Sequence, residues 1–414
     1  MMPMGRYLWL LMIAVSMPAS FVGLQRLVDI TYESSATIQP LSYQIPFDYY
    51  GDHIYLPISV NGSQPRWFIL DSGAADTFIS QDYAQSLGLQ PQGRLDIVGI
   101  GPVRLNATFA RGVTFNLTGI QWSDAQVVIA PEEFFLPLAR YFGQDFSGVI
   151  GYEFFEQFVV EIDYDNQIIH LHDPKTYRYS GSGERMPLKL VNQKPYLKTT
   201  LMLAPGLSVN SHLLIDLGSG SALDLRGKLI DENPEIASAE NTLASFTLGV
   251  GGEEKIHVGR LESLQLGKLT IDHPITAFSL GKGNQRSALS GRIGNDILRR
   301  FNVILDYTHK QMILEPNARF SEPYEYDMSG LWLGAEGQEY DIFRIDKVFQ
   351  NSPAARAGLQ VGDLITHVDS QPVTELTLEQ VRQLLMNQGG QIRLLSIQRG
   401  DDSLQFHIKL ERLI

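Results

Sequence analysis

Cysteine is missing from all 414 residues, which excludes a thiol nucleophile, a cysteine-ligated metal and any disulfide, so stability in an oxidising compartment has to come from packing alone. A surplus of positive charge is missing as well. Against 46 Asp and Glu stand only 33 Lys and Arg, and the formal charge of −13 is spread along the chain without a basic patch or an acidic tail. That balance argues against a nucleic-acid partner. Long apolar runs are also lacking: the most apolar stretch near the start, Tyr7 to Val15, is too short to read as a secure membrane span. What remains is an ordinary globular composition, 44% hydrophobic and 19% charged, on a chain too long for one compact core. Two or three domains are expected.

Residues 1–23 form a segment of their own. A single charge at Arg6, the apolar run that follows it, and the small residues of Ser16-Met17-Pro18-Ala19-Ser20 have the order of a secretory leader. Cleavage after Ser16 or after Ala19 and retention as an uncleaved anchor are all compatible with this order, so membrane contact is expected only if the segment stays attached. The protein is expected to be exported, to a periplasmic or extracellular location.

An internal duplication organises the middle of the chain. Trp67-Phe68-Ile69-Leu70-Asp71-Ser72-Gly73-Ala74 and Leu213-Leu214-Ile215-Asp216-Leu217-Gly218-Ser219 are both apolar strands running into Asp-x-Gly, with the aspartates 145 residues apart. Gly148-Val149-Ile150-Gly151, then Phe158, Val160, Asp163, Tyr164 and Leu171, recur 143 residues later as Ile293-Gly294, Phe301, Val303, Asp306, Tyr307 and Leu314. Val98-Gly99-Ile100-Gly101 recurs as Leu248-Gly249-Val250-Gly251, and Pro46-Phe47 as Pro187-Leu188. Short β-branched and aromatic runs bounded by Gly, Asn, Asp or Pro predict mostly strands, with short helices at 81–87, 151–157 and 294–300. The glycine-bearing segments near 99 and 249 have the makings of hairpins leaning over a cleft.

A carboxylate at the end of an apolar strand is projected from a rigid element, and the Gly two residues on permits the sharp turn that presents it. One Asp-x-Gly is weak evidence, whereas two at equivalent places of a duplication point to carboxylates facing each other across a pseudo-twofold axis. Such a pair shares a proton, one member serving as general base and the other as acid. On these residues, with Val149-Ile150-Gly151 and Ile293-Gly294 behind them, the chain resembles an aspartic peptidase of retropepsin type fused into two lobes. The resemblance implies two homologous β-barrel lobes around a cleft, peptide-bond hydrolysis without metal or cofactor, catalysis by Asp71 and Asp216, and support from Ser72, Gly73, Gly218 and Ser219. One departure stands out. The family has Thr or Ser after each catalytic Asp; Ser72 conforms, while Leu217 does not.

After Pro323 the character changes. Ser352-Pro353-Ala354-Ala355-Arg356-Ala357-Gly358-Leu359-Gln360-Val361-Gly362-Asp363-Leu364-Ile365 resembles the central signature of bacterial-type PDZ domains. That implies an α+β module which binds extended peptides, often protein C-termini, by strand addition. Gly330, Leu331, Trp332 and Leu333 are the candidates for its carboxylate-receiving loop. His170 and His172 are read as strand-end residues rather than metal ligands, and Asp163 and Asp306 as turn caps.

The resulting expectation is a mostly β monomer with a leader or anchor at 1–23, aspartic-protease lobes at 40–185 and 186–320, and a PDZ domain at 325–414. It would cleave peptide bonds in exported or envelope proteins. The alternative is a catalytically weak or inactive peptide-binding scaffold that keeps the protease fold, and Leu217 is the residue that favours it.

Overall fold

A computed structural model describes residues 43–238, 242–280, 290–386 and 389–414; the 1–23 segment lies outside them. Among the described residues no helix is long and apolar enough to cross a membrane. The chain is mostly β, and its two lobes meet in a shared sheet in the order Tyr43–Pro46, Ile168–His172, Val159–Asp163, Phe301–Asp306, Gln311–Pro316, Glu184–Val191. The central pairing is self-complementary. Val160 lies opposite Leu305 and Ile162 opposite Val303, with Glu161 opposite Ile304 between them. In the duplication Val160 corresponds to Val303, Glu161 to Ile304 and Ile162 to Leu305, so Glu161 faces its own counterpart while Val160 and Ile162 each face the counterpart of the other. That is the signature of a twofold axis through Glu161 and Ile304. The strand Glu184–Val191 spans the expected junction at 185/186 and so opens the second copy slightly earlier.

In the first lobe the strand Arg66–Leu70 is wedged between two apolar layers. Phe68 and Leu70 enter the large core shared by both lobes, while Ile69 enters a second cluster built with Phe134, Phe135 and Phe142, as the alternation of a strand requires. Those three aromatics belong to a helix, Glu132–Phe142, which the sequence reading did not anticipate. It carries Glu132 and Glu133 in its first turn and closes on Gly143 in the left-handed conformation, in keeping with the helix dipole and the need of a C-terminal cap. The three short helices expected from sequence form as Gln81–Ser86, Tyr152–Gln157 and Asn295–Leu298.

The last part of the chain has a separate core of residues between Met328 and Leu410 under a sheet ordered Leu331–Glu336, Ile342–Val348, Leu364–Val368, Ile392–Arg399, Asp402–Lys409. Two further helices, Pro353–Ala357 and Leu378–Met386, complete it. This module sits against both lobes. Tyr141 of the first-lobe helix stacks on Trp332 with centroids 4.8 Å apart, and Arg382 lies over the Tyr141 ring and donates to the Tyr141 carbonyl at 2.6 Å. In the second lobe, Lys347 Nζ bonds Glu253 at 2.8 Å and lies over the Phe246 ring, and Ser245 and Tyr326 share a hydroxyl hydrogen bond.

Phe246 and Glu253 belong to the hairpin Leu243–Gly249/Gly252–Arg260. An exposed ion pair with a cation–π contact is worth about 1 kcal/mol. Lys347→Ala should therefore speed amide hydrogen exchange at the tip of this hairpin by about fivefold, with the core of the last module unchanged. Equal exchange in both proteins would show that the module does not restrain the hairpin.

Candidate active site

The two Asp-x-Gly turns arise from matching backbone. Asp71 N–H donates to the Ile150 carbonyl and Asp216 N–H to that of Ile293, both at 2.9 Å. Gly73 N–H returns to Asp71 Oδ1 at 2.7 Å, and Gly218 N–H to Asp216 Oδ1 at 3.1 Å. Behind them, Tyr152 N–H donates to the Ala74 carbonyl and Asn295 N–H to that of Ser219. Gly151 and Gly294 must be glycine because of this closeness: a Cβ on either would strike the backbone carbonyl of Asp76 or of Ser221.

The turns oppose each other at van der Waals distance. A Cβ on Gly73 would lie 2.5 Å from Asp216 Oδ1 and 3.1 Å from Asp71 Oδ1, and a Cβ on Gly218 would overlap the Asp71 carboxyl. Each glycine thus makes room for the carboxylate of the other lobe, and the structure brings Asp71 and Asp216 together. Asp216 is 1% exposed. Burial and the neighbouring Asp216 raise the Asp71 carboxyl well above the ordinary aspartate range, the physical basis of a shared proton.

The supporting hydroxyls behave differently from one another. Ser72 is fully buried; its Oγ donates to the Ile215 carbonyl at 2.8 Å and accepts from Leu217 N–H at 3.0 Å, tying one loop to the other. Leu217 offers no return bond and packs instead into the shared core, while its carbonyl accepts from Asn295 Nδ2 at 2.7 Å. Ser219 supports its loop through its N–H, bonded to the Asp216 carbonyl at 3.2 Å. Its hydroxyl pairs with that of Ser221 at 2.8 Å rather than with a carboxylate.

Three basic residues that sequence reasoning missed surround the pair. Arg292, on the strand Gly291–Ile293, holds Asp216 Oδ2 at 3.2 Å through Nη1 and bonds Asp224 through Nε. Lys194 and His53 are counterparts at the starts of corresponding strands. Lys194 is buried, and burial lowers its pKa while Asp71 and Asp216 pull it upward. The His53 ring approaches the Gly218 carbonyl at 3.3 Å, and burial lowers its pKa as well. Nothing in the sequence around them sets them apart from other polar residues at strand starts.

The glycine-bearing hairpins also meet across the axis. Gly101 N–H donates to the Val250 carbonyl at 2.9 Å and Val103 N–H to that of Gly251 at 3.1 Å, while a Cβ on Gly249 would lie 2.9 Å from the Ile100 side chain.

In the last module the candidate loop is arranged differently from the expectation of open N–H groups. Gly330 N–H is taken by Asp327 at 2.5 Å and Leu331 N–H by Ser329 Oγ at 3.1 Å. Leu331 and Leu333 are buried in the core, Trp332 is covered by Tyr141, and the Leu333 carbonyl accepts from Arg382 at 2.9 Å. Elsewhere, His172 bonds Glu161 at 2.9 Å, and among the described residues no cluster of three metal-ligating side chains forms. Asp163 and Asp306 accept from the N–H groups of Asn166 and His309, as turn caps do.

Residues 56–154 match a family model described as aspartyl protease, and residues 344–399 one described as PDZ domain. The crystal structure of an aspartic proteinase from Irpex lacteus aligns at TM-score 0.45 and 12% identity, over 68% of this chain and 99% of that one. A probable CtpA-like serine protease of Staphylococcus haemolyticus (strain JCSC1435) is 33% identical over 99 residues, 24% of this chain; the alignment spans 20% of that protein's length. By the family models, residues 56–154 are similar to an aspartyl protease domain and residues 344–399 to a PDZ domain, a module for peptide recognition.

Removing the Ser72 hydroxyl leaves the Leu217 N–H and the Ile215 carbonyl without their partner in a buried place. Ser72→Ala should cost about 1–3 kcal/mol, read as a lowered urea midpoint at unchanged slope. An unmoved midpoint would mean that the hydroxyl does not link the lobes.

Proposed function

We propose that this chain is an aspartic endopeptidase that hydrolyses exported or envelope proteins, with its PDZ domain recognising peptide segments of substrates or partners. The observation that carries the reading is the mutual fit of Gly73 against Asp216 and of Gly218 against Asp71. It supports the sharing of one proton and one water between buried Asp216 and half-buried Asp71. The ionised carboxylate takes a proton from the water as its oxygen adds to the scissile carbonyl carbon, while the protonated one gives its proton to the carbonyl oxygen. Collapse of the adduct breaks the C–N bond, the amine nitrogen receives the water's proton, and the hydroxyl proton returns to the dyad. The hairpins at 99–101 and 249–251 would close over a peptide lying between the lobes. Action outside the cytoplasm rests on the leader-like order of residues 1–23.

The second reading, a peptide-binding protein with little turnover, is favoured by Leu217, which removes half of the hydroxyl link between the loops. Cleavage of a diverse peptide library between pH 3 and 8 separates the two. Asp71→Asn and Asp216→Asn should each lower turnover by about 10²–10⁴-fold with the fold intact. Because burial and Asp216 raise the Asp71 carboxyl, it keeps its proton at a pH where ordinary aspartates, titrating near ~3.9, have lost theirs. The alkaline limb of the pH profile should accordingly lie well above that range. Full turnover in either variant would sink the dyad, and a folded wild-type protein that cleaves nothing would favour the second reading.

A further inference from the structure

The duplication contains its own control. Both copies make the same backbone bond behind the aspartate, from Asp71 to Ile150 and from Asp216 to Ile293, yet the residues flanking that bond differ. Where the first lobe pairs Val149 with Phe78, the second pairs Arg292 with Asp224, all four in the short strands behind the loops. Arg292 is 6% exposed and Asp224 4%. A buried charge persists only with close partners, and those of the guanidinium include Asp216 at 3.2 Å and Asp224, bonded through Nε. Nothing in the packing of a β strand demands such a cluster, because the first lobe builds the same strand from apolar side chains. Its evident consequence is to place a fixed positive charge against one carboxylate of the pair and not against the other.

We propose that Arg292 is a positioning residue that fixes the negative charge on Asp216, so that Asp71 carries the shared proton and the two aspartates cannot exchange roles. The assignment of chemical roles rests on the peptidase reading above: Asp216 is the base toward water and Asp71 the acid toward the carbonyl oxygen. Among the other groups facing Asp216, Lys194 is drawn first to Asp71 and then to Asp216 while burial lowers its pKa; its pull toward an ionised Asp71 is what the direct contact of Arg292 with Asp216 has to outweigh. His53 is held toward its neutral form by burial. Arg226 lies behind Asp224 beside Glu254, at 4.0 Å. The nearby hydroxyls of Tyr196 and Tyr307 are pushed up by burial and stay neutral.

The test uses the full chain labelled with 13C-aspartate and follows the carboxyl carbons of Asp71 and Asp216 by NMR from pH 3 to 9, with kcat/KM for peptide cleavage in parallel. The pair titrates as a unit, and the site-specific signals show which member ionises first. In the wild type Asp216 should ionise first. The double variant Arg292→Val/Asp224→Phe gives the second lobe the apolar pair, Val149 and Phe78, that stands at this place in the first. It should raise the first ionisation of the pair, and the acid limb of kcat/KM with it, by about one pH unit or more. Arg292→Lys, which keeps the charge, should leave both near their wild-type positions. A purely structural role would lower activity without moving either limb. Asp71 ionising first in the wild type would overturn the proposal, as would an unmoved first ionisation in a folded double variant. If the double variant fails to fold, the wild-type order of ionisation still decides. A protein that cleaves no peptide would refute the peptidase reading and leave the titration result standing.

Discussion

Two carboxylates buried against one another are the constraint from which the rest of the architecture follows. Such a pair is tolerable only if one member is protonated and the remaining charge is met by fixed donors. The Asp-x-Gly turn answers both needs: the second residue after each aspartate supplies an N–H to its carboxylate, and the missing side chain at that residue lets the opposing carboxylate approach. The approach has to be rigid, since a shift of an ångström would separate the pair. Rigidity comes from strands whose faces are buried on both sides, from Gly151 and Gly294 pressed against the loops, and from a sheet that joins the lobes about a twofold axis at Glu161 and Ile304. Duplication and chemistry are thus one fact, because a twofold axis is the cheapest way to place two equal groups face to face.

The symmetry is nevertheless incomplete, and the departures cluster at the second aspartate. Ser72 reaches across to the Leu217 loop, but Leu217 returns only apolar contact. Arg292 and Asp224 replace an apolar pair, and Arg226 with Glu254 extends the charged region behind them. A buried network of this kind is seldom a gain in stability over well-packed apolar residues. Its presence in one lobe alone is better accounted for by what it does to Asp216 than by what it does for folding.

Much of this was legible in the sequence because duplication turns weak signals into strong ones. A lone Asp-x-Gly says little, whereas two at 145 residues' separation, with matching apolar-Gly elements downstream, point to the pairing of Asp71 with Asp216. The PDZ region was legible for a different reason, a dense run of turn and helix-start residues from Ser352 to Gly362 that forces a local geometry. What escaped was whatever depends on side chains reaching across the fold. Arg292 and Lys194 look like ordinary strand residues until the partner carboxylates are in place. The hydroxyl of Ser219, a residue implied only as support for its loop, pairs with that of Ser221, two residues away. The helix Glu132–Phe142 was missed because Pro137 interrupts its pattern, while its three buried phenylalanines supply the packing that overrides propensity.

The contact between the modules shows the same limit and adds a mechanical point. Strand Leu331–Glu336 lies at the edge of its sheet, where a peptide would add, and this edge is faced by Tyr141 and by Arg382, whose guanidinium already bonds the Leu333 carbonyl and the Tyr141 carbonyl. An incoming strand therefore has to compete with the protein's own helix for those groups. The same module holds the second-lobe hairpin through Lys347 and Tyr326, and that hairpin in turn is bonded to the first-lobe hairpin at Gly101 and Val103. The peptide edge, the interlobe hairpins and the helix behind the first aspartate's strand are consequently in one continuous chain of contacts. Every link in that chain is a packed side chain or a hydrogen bond already made.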